Sequence, residues 1–207
     1  MKNLIVWDLE TSGFVEDPEA RILEIGAVHV KDGVIVDRRS WVINNDIKVP
    51  EKITEITGIT QELVNTEGIK PAQALREFLI FFNQEEFHLT HNGIRFDVPF
   101  FIKQMKISFN YLPLTMFDAL EREMFDFALD TAAEYKGRKL KMVQSDEEKF
   151  VDYAKRVLDT KVFGLKYNVA ACCDDLGVDR TGIQQHRALA DVELTYKIYQ
   201  KLHDSNT

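Results

Sequence analysis

Cysteine is scarce in this chain of 207 residues: there are two, Cys172 and Cys173, and they are adjacent. Neighbouring cysteines rule out a disulfide framework, and no Cys-x-x-Cys spacing offers a zinc site. Long apolar runs are absent as well. No uninterrupted stretch exceeds five residues, as in Phe78 to Phe82, against the roughly 20 that a membrane-spanning helix needs. Asp8 and Glu10 arrive before any apolar stretch long enough for a signal peptide, which points to an intracellular, cytoplasmic protein. Basic charge is short, with 26 Lys and Arg against 34 Asp and Glu and a net charge of −8. Bulk attraction for a polyanion is therefore excluded, and any phosphate-bearing partner would need a local site, helped by bound cations. There is no P-loop, no Gly-x-Ser-x-Gly, no His-Glu-x-x-His and no glycine-rich dinucleotide turn. What is present, 45% hydrophobic and 29% charged residues, suits one globular domain that buries about 70% of its unfolded surface.

Leu4 to Trp7 predicts a buried strand that ends at Asp8-Leu9-Glu10. Strands over Ile22–Val30 and Val34–Ile43 flank Asp32-Gly33, a hairpin signal, so the first three strands form an antiparallel meander. A short helix is expected near Pro50, and Pro71 opens an amphipathic helix to Phe82. Phe87–Thr90 predicts a strand and His91-Asn92-Gly93 a turn. Val98–Met105 predicts a helix with Asp97 as its N-cap. Leu114–Phe117 predicts a further strand and Arg187–Leu202 a terminal helix. The order is that of a mixed α/β sheet with helices on both faces. Ten basic and ten acidic residues crowd positions 121–167. There Ser145 and Glu148 form a capping-box pattern before a helical stripe, so about 122–164 is expected to be a helical insertion within a single domain spanning 1–207.

The chemistry lies in scattered acids. Asp8 and Glu10, two apart on a strand, face one side and would repel each other unless a divalent cation joined them. Asp97 opens a helix after a turn. His186, ahead of the terminal helix, precedes Asp191 within it, placing an imidazole able to take a proton near a carboxylate. Four carboxylates could nearly balance two divalent ions, the arrangement used for in-line displacement at phosphorus.

Three segments carry these residues: Trp7-Asp8-Leu9-Glu10-Thr11-Ser12-Gly13, His91-Asn92-Gly93-Ile94-Arg95-Phe96-Asp97 and His186-Arg187-Ala188-Leu189-Ala190-Asp191. With Ile56-Thr57-Gly58-Ile59-Thr60 they resemble the DnaQ-like 3′–5′ exonucleases of the DEDD superfamily, in the His-containing (DEDDh) subgroup. The resemblance implies a ribonuclease-H-like fold and stepwise release of nucleoside 5′-monophosphates from a single-stranded or frayed 3′ end. It also implies two Mg²⁺ or Mn²⁺ ions held by Asp8, Glu10, Asp97 and Asp191, with His186 as general base. Leu9 and Thr11 would line the terminal-nucleotide pocket, Ile59 would press on the bases, and Asn92 and Phe96 would support the second motif. For Ile59 and Phe96 core packing is the equal alternative, and Phe100 and Phe101 are expected in the core. An RNA-trimming enzyme, a polymerase-associated proofreading subunit (or a repair-complex partner) and a non-catalytic binding module are the rival readings. The chain stops soon after its last helix, which weakens tethering to a polymerase through a tail. The basic run Lys136-Gly137-Arg138-Lys139-Leu140-Lys141 would hold upstream phosphates or form an ordinary solvated loop.

Overall fold

In the computed structural model, which describes residues 2–183 and 187–204, the apolar N-terminal run becomes the central strand of the sheet. This strand, β1 (Leu4–Thr11), pairs antiparallel with β2 (Ile22–Lys31), which pairs antiparallel with β3 (Val34–Val42). Asp32 and Gly33 both take positive φ between β2 and β3, as the tight hairpin requires. On its other side β1 runs parallel to β4 (Phe87–Thr90), which runs parallel to β5 (Ala128–Asp130). Among the described residues the sheet has the order β3-β2-β1-β4-β5.

The helices are α1 (Glu51–Thr57), α2 (Gln61–Glu67), α3 (Pro71–Phe82), α4 (Asp97–Ser108), α5 (Leu114–Asp126), α6 (Thr131–Leu140), α7 (Phe150–Asp159), α8 (Val169–Leu176) and α9 (Ala188–His203). Alternation along β1 sorts its side chains between two faces. Ile5, Trp7 and Leu9 join an aromatic core with Phe78, Phe100 and Phe101. Leu4 and Val6 pack instead against Val192, Tyr196 and Tyr199 of α9. Continued by the same period of two, this second face carries Asp8 and then Glu10.

Several local expectations are corrected. Residues 114–117 are helical, the start of α5, which Pro113 enters in extended conformation. Phe117 and Met124, seven apart, are its buried residues, with Leu120 packed beside them. Four apolar residues are too few to tell period 2 from period 3.6. Asp97 is the first helical residue and Phe96 occupies the cap position without a side-chain cap bond. The span 122–164 is also more than helix: it supplies β5 of the sheet and the fully buried Asp130. Ser145 and Glu148 close a turn ahead of α7, with the Ser145 N–H donating to the Glu148 carboxylate, and Lys149 takes the N-cap position.

Candidate metal centre and active site

Register brings the acids together. Asp8 lies opposite Gly26 of β2. A Cβ on Gly26 would sit 2.4 Å from the Ala188 carbonyl carbon and 2.5 Å from the Leu189 nitrogen. Glycine is what allows the first turn of α9 to rest on β2, and that turn carries Asp191. One carboxylate oxygen from each of Asp8, Glu10 and Asp191 then lies within 4.8 Å of the others. Asp97 stands beside this trio. It is buried, and its Oδ1 accepts the Leu9 N–H at 3.0 Å, tying the second motif to the strand that carries the first.

The electrostatics follow from crowding. Burial, then the charges of Asp97, Glu10, Asp191 and Glu24, hold the Asp8 carboxyl well above its ordinary range. Glu10 is pushed up to about 8 by burial, Asp191 and Glu24, with Arg187 opposing. Asp97 rises to about 7, mainly through burial, although the Leu9 N–H favours its ionised form. Such a cluster is an all-oxygen donor set in want of positive charge, which fits a hard divalent cation. Glu24, by contrast, is already matched. It takes Arg187 Nε at 3.0 Å and Nη2 at 2.8 Å, and the Ser40 hydroxyl at 2.7 Å. This two-pronged pair pins the residue just before α9 to β2.

The turn before α4 is built as tightly. Asn92 adopts positive φ, and Gly93 approaches Thr90 so closely that a Cβ would lie 2.4 Å from it. Asp130 accepts N–H groups from Asn92 (3.0 Å), Ile94 (3.2 Å) and Ala133 (3.1 Å), serving both this turn and α6. His91 bridges the Thr131 hydroxyl and the Tyr167 carbonyl, each at 2.8 Å. Because a carbonyl only accepts, Nε2 carries the proton there. His91, Asn92, Tyr167, Asn168 and Asp191 line a cavity of about 470 Å³ next to the acidic trio.

The remaining expected site residues divide. Leu9 is buried in the core, and the Thr11 hydroxyl donates to the Gly13 carbonyl at 2.7 Å. Ile59 is fully buried and packs with Leu23, Val49 and Val64. Phe96 is partly exposed and packs against Phe100, while Phe100 and Phe101 are core. His186 lies outside the described residues. Of the basic run, residues 136–140 belong to α6 and Lys141 follows it as an exposed C-cap. Lys136 is buried and donates to the Leu158 carbonyl at 2.9 Å, Arg138 donates to the Leu202 carbonyl, and Lys139 pairs with Asp175.

The RNase_T exonuclease model matches residues 5–199. The chain belongs to this exonuclease family. It is a nuclease of the DEDD superfamily, whose members work with divalent metal ions. The DNA polymerase III subunit epsilon of Aquifex aeolicus is 27% identical over 201 residues, 96% of this chain and 79% of that protein. A PolC-type DNA polymerase III of Clostridium perfringens is 40% identical over 101 residues, 49% of this chain but 7% of the polymerase. The exonuclease therefore spans only a small part of the PolC-type relatives it matches. Among solved structures, Exonuclease X in complex with 5′ overhanging duplex DNA gives a TM-score of 0.61 at 21% identity, covering 98% of this chain and 92% of that one. E. coli Exonuclease I in complex with a dA16 oligonucleotide gives 0.70 at 15%, covering 98% and 40%. The mixed sheet is thus the ribonuclease-H-like one of these exonucleases.

Three contributors were missed in the sequence. Asp130, before Thr131-Ala132-Ala133, carried a readable N-cap signal. Glu24, the one acid in Ile22–Val30, signalled a buried partner. The pairing of His91 with the Tyr167 carbonyl, 76 positions away, had no local signal.

Proposed function

We propose that this exonuclease removes nucleoside 5′-monophosphates stepwise from the 3′ end of single-stranded or frayed nucleic acid, foremost DNA. The observation that carries this reading is the convergence of Asp8, Glu10 and Asp191 within 4.8 Å, with Asp97 hydrogen-bonded to the strand between the first two. Asp8, Glu10, Asp97 and Asp191 would hold two divalent cations, Mg²⁺ or Mn²⁺, which when bound supply an acidified water and a charge partner for the leaving oxygen. His186 would take the proton from the attacking water. Asn92 and Tyr167 border the cavity that would receive the terminal nucleotide, and the Glu24–Arg187 pair holds α9, and so Asp191, in place.

Two 5′-labelled strands of matched sequence, one DNA and one RNA, test this with Mg²⁺, Mn²⁺ or chelator. A ladder shortening from the 3′ end, mononucleotide 5′-phosphates as products, arrest by chelator and faster DNA digestion are expected. Internal cuts or chelator-resistant cleavage would contradict the reading, and faster RNA digestion would move it to RNA trimming. A second reading, action beside a polymerase, is favoured by the similarity to a polymerase III epsilon subunit over 96% of this chain and 79% of that protein.

A further inference from the structure

The loop from Thr160 to Tyr167 carries an aromatic ring that the fold does not use. Phe163 is fully exposed and Val162 is exposed beside it. Gly164, at φ +82° with nothing within 4 Å of where a Cβ would be, makes the turn that presents the ring. Lys161 and Lys166 flank it, both exposed and without an ion pair among the described residues. No acid occurs from Thr160 to Cys173, in a chain of net charge −8. Both ends of the loop are anchored. The Thr160 hydroxyl donates to the Arg156 carbonyl, while Tyr167 is held by His91 at its carbonyl and lies under the Lys136 ammonium, 4.5 Å from its ring centroid.

Two cavities meet on this loop. One, about 470 Å³, contains Asp191; the other, about 430 Å³, is bordered by Arg95, Lys136 and Lys161; Leu165 and Tyr167 line both. Lys166 lines the first cavity and Lys161 the second, so the loop borders the space that contains Asp191. Arg95 is paired with Asp159 and Lys136 is engaged internally, so the charges open to a ligand are those of Lys161 and Lys166. An exposed ring between two lysines has the chemistry of a single-strand platform, since every base has a face to stack and every step a phosphate to neutralise.

We infer that Phe163, Lys161 and Lys166 form a stacking clamp for the single strand on the 5′ side of the scissile bond, giving the enzyme its grip on long substrates. The inference rests on the exonuclease reading above and deepens it. It also places a phosphate grip on the loop after α7 and not on the basic run of α6, for which a phosphate grip was one of two readings.

The full chain is assayed on a dinucleotide and on a twelve-residue single strand of DNA. Equilibrium binding of the labelled twelve-mer is followed by fluorescence anisotropy in chelator, where no cleavage occurs. Phe163→Ala should weaken twelve-mer binding and raise its KM about ten-fold with kcat unchanged and the dinucleotide KM within about two-fold. Phe163→Trp should restore both. Lys161→Ala with Lys166→Ala should lower the slope of log affinity against log salt by about 0.7 per lysine. Unchanged twelve-mer binding in Phe163→Ala overturns the inference and would assign the ring to a protein contact; equal losses on both substrates overturn it too. If the parent chain degrades neither substrate, the exonuclease reading fails, while anisotropy still decides whether the loop binds a strand.

Discussion

At Asp8 the chain gives up stability to hold charge. Its carboxyl shares a crowded, part-buried space with Glu10, Asp191 and Asp97, and repulsion and burial both oppose ionisation. Asp8→Asn keeps the shape and removes one charge. Without divalent cations it should raise the melting temperature by several degrees, an effect of about 1–2 kcal/mol, while turnover falls roughly 10³-fold or more. With Mn²⁺ added, the parent should gain stability and the variant little. Thermal shift with and without Mn²⁺ checks this; a variant less stable than the metal-free parent would show that the cluster is not strained. The pairing of Asp8 with Glu10 was legible because a strand places i and i+2 on one face. The grip of Asp97 on the Leu9 N–H was not, because it spans 88 positions and replaces the local capping role its position suggested.

Among the elements, β1, β2 and α9 set the geometry, and Gly26 is the point where they touch. Gly26→Ala would drive a methyl group into the backbone of Ala188 and Leu189, which cannot swing aside as a side chain can. The expected result is a loss of about 2–3 kcal/mol and of at least 100-fold in kcat, since even about 1 Å of displacement at Asp191 is enough for that. Urea denaturation and steady-state kinetics measure the two, and a near-parental kcat would mean that α9 does not position the site. Strong local signals made the meander, α3 and α9 legible. The Asp-Gly turn and the Pro71 helix start each matched the structure, and the terminal helix buries Val192, Tyr196 and Tyr199 on one side. By contrast β5 is three residues long, too short for any periodicity, and its place is set by pairing with β4. The same limit turned the opening of α5 into an apparent strand.

For the whole molecule, the response to acid has opposing parts: protonation relieves the repulsion among the buried carboxyls of the site, while buried His88 loses stability. His88 is buried, accepts the Trp7 indole N–H at 3.0 Å and donates to the Met124 carbonyl at 2.6 Å, so it is neutral in the fold. Burial pushes it down to about 4 from an ordinary 6.5. A folded pKa below the unfolded one means that the unfolded chain binds the proton more readily. Its contribution is therefore complete above pH 6.5 and is lost as pH falls through about 4, amounting to about 3 kcal/mol. His88→Asn should flatten that part of the stability curve between pH 6.5 and 4 in urea denaturation; an unchanged slope would count against it. Net charge mattered differently. The excess of acids, which argued against bulk attraction to a polyanion, includes those gathered at the site, where bound cations would reverse the local sign. That gathering is the claim on which the functional reading depends. Calorimetric titration of Mn²⁺ into the full chain, with no nucleic acid present, tests it most directly: the account predicts saturable binding near two ions per chain that is lost in Asp8→Asn. Absence of binding, or binding that survives Asp8→Asn unaltered, would contradict it.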